Sequence, residues 1–312
     1  MKNFSPKTTL AAAATLLLTV ACTNELTDGP DGGKGRIAFH PLPETRTVVE
    51  NADGMAGGFN VWGWYVKDGE TARHNVFNQA TVMKNGDSWA CSDTRYWIPN
   101  TTYNFYGVFP ADMGTCTENG TLTVADFDAT LGHDLMTATS APMDGDQLAS
   151  VVMPFRHELS KVAVRVATDP GITATVYSAK LYGMDTQGTL TRNTSDVFWT
   201  DIDDDDKSTV DTPSFTFDDE IEINASTPQD LFKDLLLIPQ NVQGLKLELS
   251  FTRGSDRQTV QVPLDTSITR WTAGEAYRYV LTIEADAITF KGITVDGWDE
   301  AHTGGDVNIE DR

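Results

Sequence analysis

Positive charge is scarce in this chain. Its 312 residues include 23 Lys and Arg against 45 Asp and Glu, a formal net charge of -22. A surface that acidic repels phosphate backbones and anionic headgroups, which excludes nucleic acid as a partner and a basic patch as a membrane anchor. Long apolar runs are also missing. Leu10–Val20 is the main one, and it falls short of the ~20 residues that a spanning helix needs. Outside it, no segment carries a 3.6-residue amphipathic stripe of helical length, so helices are not expected in the body of the protein. There is no C-x-x-C pair, no Walker loop, no dinucleotide glycine fingerprint and no G-x-S-x-G elbow. His157–Glu158 lacks the second histidine, four residues after the first, that a helical zinc peptidase requires. Asp201, Asp203 and Asp205 alternate as in a calcium loop, but Asp206 stands where glycine is needed and Thr212 where a bidentate glutamate is needed. These absences point away from an enzyme, a metal site and a cofactor. A glycan hydrolase is the one enzymatic alternative, because its carboxylate pair is set by the fold and leaves no sequence motif.

What is present begins at the N-terminus. Lys2 and Lys7 precede the short apolar run, and Ala21 precedes Cys22. A charged start, a short apolar core and a small residue are the marks of a secretory signal. Leu16–Cys22, LLLTVAC, resembles a bacterial lipobox, in which the cysteine thiol is acylated and becomes the new N-terminus; Thr19 departs from the aliphatic residue usual at its place. The alternative is an ordinary secretory signal with an incidental cysteine. Either way residues 1–21 are a signal peptide and the mature chain is extracytoplasmic. Residues 22–35, polar and rich in Gly and Pro, read as a flexible tether. Two cysteines are then left, Cys91 and Cys116. The compartment permits a disulfide between them; two separate thiols are the alternative.

From residue 36 the chain reads as strand after short strand. In Arg36–His40, Ile37 and Phe39 alternate with polar neighbours, and Pro41 and Pro43 follow. Phe59–Val66 is a run of aromatic and β-branched residues. Tyr103–Pro110, YNFYGVFP, puts Tyr103 and Phe105 on one face and Tyr106 and Val108 on the other, which predicts burial on both sides. Asn85–Gly86 and Arg253–Asp256 are turn signals between alternating runs. Val162, Val164 and Val166 share one face of LSKVAVRVAT. Ile288–Phe290 and Ile293–Val295 read as separate short strands, and Gly304–Ile309 as a last one. The architecture expected is all-β, as two sandwich domains over residues 36–152 and 153–312. Trp62, Trp64, Trp97, Trp271 and Trp298 are either core anchors or a sugar-stacking platform. His40, His74, His133 and His302 are scattered and read as surface or strand residues.

Several of these elements recur together in one family. Cys22, the first strand ending in Thr45–Arg46, Trp97 with YNFYGVFP, PFRHELSKVAVRV, LLLIPQ, W-x-x-G-x-x-Y-x-Y-V-L-T-I and ITVDGW resemble the fimbrillin family of Bacteroidetes, its Mfa-like branch in particular. The resemblance implies two tandem transthyretin-like β-sandwich domains after a lipoprotein signal peptide. It implies lipidation, palmitate included, at Cys22 and a surface-exposed lipid anchor in the outer membrane. It also implies assembly with other fimbrial subunits into a pilus by β-strand exchange. Carried onto this chain, a trypsin-like protease cuts between Arg46 and Thr47 and releases Arg36–Thr45, with Arg36 a competing cut site. Gly292–Glu310 is the donor candidate. Stalk, tip and anchor roles all stay open, and a tip would meet a host or bacterial surface ligand. The alternative function is a monomeric surface lipoprotein that binds glycan or host protein.

Overall fold

In the computed structural model, the described residues are 35–298, apart from 44–53, 56, 87, 203–211, 225–226, 265–267 and 286. The signal peptide, the tether up to residue 34 and Gly304–Ile309 lie outside them. The first ten strands are β1 (Phe39–Pro43), β2 (Phe59–Lys67), β3 (His74–Asn85), β4 (Ser88–Cys91), β5 (Thr101–Phe109), β6 (Thr115–Cys116), β7 (Leu122–Asp128), β8 (Met136–Thr139), β9 (Met143–Asp144) and β10 (Val151–His157). Eleven follow: β11 (Ser160–Thr168), β12 (Ala174–Tyr182), β13 (Gln187–Arg192), β14 (Val197–Thr200), β15 (Pro213–Phe217), β16 (Ile221–Ile223), β17 (Gln229–Leu237), β18 (Lys246–Arg253), β19 (Asp256–Pro263), β20 (Glu275–Ile283) and β21 (Ile288–Gly297). Among the described residues the one helical element is the 3-10 turn Ala129–Leu131. The protein is all-β, as its short alternating runs predict.

The largest sheet has eight strands in the order β1-β10-β8-β5-β2-β3-β4, with β9 paired to β5. It wraps around a core of its own side chains, among them Phe59, Phe77, Tyr103, Phe105, Met153 and Phe155. Gly63 of β2 exists for this wrapping. A Cβ there would stand 2.7 Å from the Phe105 ring and 2.9 Å from Val76.

A second pair of sheets forms a sandwich. One has the order β17-β11-β20-β21, the other β15-β12-β18-β19 with β16 paired to β12. Val162, Val164 and Val166 point inward from β11 onto Leu247, Leu249, Trp271 and Tyr279. The β18–β19 hairpin turns where the sequence signals it: Arg253 pairs with Asp256. Gly254, at φ 68, supplies the positive φ that a two-residue hairpin loop demands. The two pieces expected near the end are one continuous strand, β21, with a bulge against Val280 and Leu281.

The fourth sheet, β14-β13-β7-β6, draws strands from both halves of the chain. It covers the outer face of the first sheet. Between them lies a third core, in which Trp62, Tyr106 and Val108 meet Leu122, Val124, Leu190 and Ile238. β5 is therefore buried on both faces, as expected from its aromatic pattern. Position 152/153 falls inside β10, whose residues Phe155–His157 still pair with β8. The chain leaves the first sheet only after His157 and enters the sandwich at Ser160. A close-packed interior does not yield easily to an added methyl group. Gly63→Ala is expected to lower unfolding stability by about 1–3 kcal/mol, measured by urea denaturation against the parent chain.

Candidate assembly site

The resemblance makes the first ribbon the candidate assembly segment, and its seat is built as follows. Ile37, Phe39, Pro41 and Pro43 are buried, while Arg36, His40 and Leu42 face out. β1 pairs in parallel with β10, from Phe39 opposite Val151 to Pro43 opposite Phe155. At its start the ribbon is bonded on its other side. Ile37 N–H donates to the Arg95 carbonyl at 2.9 Å, and Trp97 N–H to the Gly35 carbonyl at 3.1 Å. Arg36 bridges Tyr96 in antiparallel sense. Residues 35–43 thus span the gap between the two ends of the large sheet and close it.

Side chains fix the ribbon more than its ladder does. Phe39 lies edge-on to Phe77 and to Phe105, with ring centroids 5.4 and 5.5 Å away. Trp97 caps the same core, 4.9 Å from Tyr103. Burying Ile37 and Phe39 contributes roughly 1.5–3 kcal/mol each. Two of the five β1 residues are prolines, which bring no N–H to the ladder.

The other end of the described chain is also pinned. Trp298 is buried, stacks on His157 at 4.4 Å, and donates its backbone N–H to the Gly274 carbonyl at 2.8 Å. His157 Nδ1 contacts Asp134 Oδ2 at 2.9 Å. Next to it, buried Glu158 accepts from Arg192 Nε at 2.9 Å and from Thr137 Oγ1. In the sequence His157 belongs to an incomplete zinc motif and to the PFRHELSKVAVRV run. Its partners come from residues 134 and 298, and no spacing rule links them.

The predicted residues fare differently. Cys22, Arg46 and Thr47 lie outside the described residues. Cys91 and Cys116 form no bridge; both are free thiols. The reason is placement: Cys91 belongs to the core inside the large sheet, while Cys116 packs against the core on its outer face. Burial pushes both thiols up, Cys116 to about 12. Arg36 is held in the ladder, and its Nη2 reaches the Cys91 carbonyl at 3.5 Å. Within the donor candidate, residues 292–297 belong to β21 and pair with β20. Of the aspartate run, Asp203 and the residues after it lie outside the described ones. All five tryptophans of the suggested platform, Trp62, Trp64, Trp97, Trp271 and Trp298, are buried, so they anchor cores and present no platform.

The fimbrillin-like family profile matches residues 45–298. The chain belongs to the fimbrillin-like family. Two solved structures share its fold at low identity. A protein assigned to cell adhesion from Bacteroides uniformis is 18% identical, with a TM-score of 0.50, over 87% of this chain and 100% of its own. A second such protein, from Bacteroides ovatus, is 16% identical with a TM-score of 0.51, over 86% of this chain and 100% of its own. The tip fimbrial protein Mfa3 of Porphyromonas gingivalis is 10% identical with a TM-score of 0.39, over 85% and 100% of the two chains. No curated protein matches the chain.

A fimbrillin-like chain with two raised-pKa thiols has a simple chemical signature. A thiol whose pKa lies above the solution pH stays protonated, and the thiolate is the reactive form. In the folded protein at pH 8, Cys91 and Cys116 are expected to resist iodoacetamide. Both are expected to be alkylated in denaturant without reductant, adding two labels by intact mass.

Proposed function

We propose that this fimbrillin-like chain is a fimbrial subunit that polymerises by exchanging its first ribbon. In this reading it is exported as a lipoprotein acylated at Cys22 and held at the outer membrane by its lipid. A trypsin-like protease then cuts between Arg46 and Thr47. The ribbon that includes β1 departs, and a strand from the next subunit occupies its seat.

One observation carries the proposal. Residues 35–43 close the large sheet through buried apolar side chains at alternate positions, on a strand thinned by Pro41 and Pro43. A segment of that kind can be replaced by any strand that offers apolar residues two apart. The empty seat would expose the edge of β10 and the rings of Phe77 and Phe105, a template for strand addition. Filling one subunit's seat from the next gives a heterologous, head-to-tail contact, which grows a filament. The family supports the fimbrial role.

In this reading Arg46 is the preferred cut site, because Arg36 lies within the paired ribbon, where a protease cannot draw out the backbone; Arg46 stands three positions beyond Pro43 in the sequence, outside the described residues. The donor is best sought after Trp298, because β21 is already committed to β20. There, Val307 and Ile309 repeat the two-residue apolar spacing of Ile37 and Phe39.

The test uses purified precursor. Treatment with a trypsin-like protease is expected to yield polymers, seen by size-exclusion chromatography and electron microscopy, with Thr47 as the new N-terminus. Arg46→Ala is expected to remain monomeric under the same treatment. Monomers alone after complete cleavage at Arg46 would rule out ribbon exchange.

A further inference from the structure

The seat of the first ribbon ranks the strands that can enter it; this inference rests on the ribbon-exchange reading. Apolar residues two apart admit a strand, but the four inward places are not alike. Ile37, Phe39, Pro41 and Pro43 occupy them in turn. The second place is walled by rings. Phe39, 4% exposed, lies edge-on to both Phe77 and Phe105. Phe105 is itself stacked on Tyr103 at 5.7 Å and edge-on to Trp97 at 6.1 Å. Phe39 thus completes a cluster of rings. Those rings are not free to close in on a smaller side chain. Phe105 packs directly over Gly63, and moving it toward the seat would open a gap there and break its stack on Tyr103. A smaller residue in place of Phe39 therefore leaves a cavity and forfeits the edge contacts.

The chain's own tail does not supply a matching strand. Residues 299–312 contain no Phe, Tyr or Trp, and their apolar pair is Val307 and Ile309. Laid in the direction of the ribbon, with Val307 at the place of Ile37 and Ile309 at that of Phe39, the tail brings Asp311 to the buried place of Pro41. Laid the other way, with Ile309 at the place of Ile37, it puts Val307 at that of Phe39 and Gly305 at that of Pro41. The one ring of the segment, His302, belongs to the other alternate set, with Glu300 and Asp306, and would carry those carboxylates into the seat. An unpaired carboxylate in an apolar place is costly. Every register therefore lacks either the ring or an apolar surround.

We infer that the seat prefers a donor strand with an aromatic residue at the place of Phe39, and that this strand belongs to a different subunit. The partner is an extended segment that reads aliphatic, then aromatic, at alternate positions, followed by two inward residues without charge. The outward places of His40 and Leu42 are exposed and set no such condition. The chain's own tail enters the seat where nothing competes, as in a purified preparation, and yields to such a strand. The ribbon of another copy has the right pattern, but in the exchange reading cleavage at Arg46 removes it.

Competition for the seat tests this. The whole chain is cut at Arg46 in the presence of a fluorescein-labelled peptide of residues 37–45, which contains no cleavable Lys or Arg. Unlabelled peptides compete with it, the freed fragment being present in equal amount throughout, and binding is read by fluorescence anisotropy. The unlabelled 37–45 peptide is expected to compete, and its Leu42→Ala form, changed at an outward position, to match it within about twofold. The Phe39→Leu form is expected to compete roughly threefold or more weakly. The Phe39→Val form and a peptide of residues 299–312 are expected to compete roughly tenfold or more weakly. Equal competition by either Phe39 variant, or by the 299–312 peptide, overturns the inference and leaves ribbon exchange standing. No saturable binding of the labelled peptide overturns both.

Discussion

A sheet that curls around its own core has two edges, and each edge carries backbone groups that need partners. In this protein one short ribbon serves both. Residues 35–37 bond to the chain after β4, and β1 bonds to β10. Ile37, Phe39 and Trp97 are buried in the space that this closure encloses. The arrangement is economical in backbone bonds and rich in ring contacts. Parallel pairing is slightly weaker per residue than antiparallel pairing, and two prolines weaken this one further. The strand that completes the sheet is thus held weakly by its ladder for its length.

The rest of the body is stiffer than a pair of beads on a string. β2 and β5 are packed on both faces, one toward the sheet's own interior and the other toward the small fourth sheet. That sheet takes β6 and β7 from the first half and β13 and β14 from the second. The two halves consequently share a core centred on Trp62, Tyr106 and Leu190. Closure of the large sheet and the link between the halves use opposite faces of the same strands, so changes on one side need not disrupt the other.

Much of this was readable from the residues, and the failures have physical causes. Local alternation is a property of each strand, so the inward set Val162, Val164 and Val166 and the two-faced burial of β5 were legible. So were the turn at Gly254 and the ribbon's inward Ile37 and Phe39. Pairings across long stretches of chain were not. The pairing of β7 with β13 joins Leu122 to Arg192, and neither segment announces its partner. The boundary expected between residues 152 and 153 falls just ahead of PFRHELS. In the structure those residues finish β10 and turn the corner, with His157 and Glu158 buried by partners from distant segments. The tryptophans were half legible: bulk favours their burial, while nothing in the sequence marks the bond from Trp199 Nε1 to the Glu158 carbonyl.

The way the second sandwich is strung bears on how it carries load. β11 enters beside Ala276 of β20, and β21 leaves beside Glu275, so both connections emerge at the same end of the sheet. Tension applied to that exit would peel β21 away one bond at a time, like a zip, where a shearing pull would strain the whole ladder at once. Trp298 sits at the mouth of this zip, stacked on His157 and tied to Gly274. It acts as a clasp: a pull on the chain at that exit meets the buried indole, its stack on His157 and its bond to Gly274 before it meets the first rung.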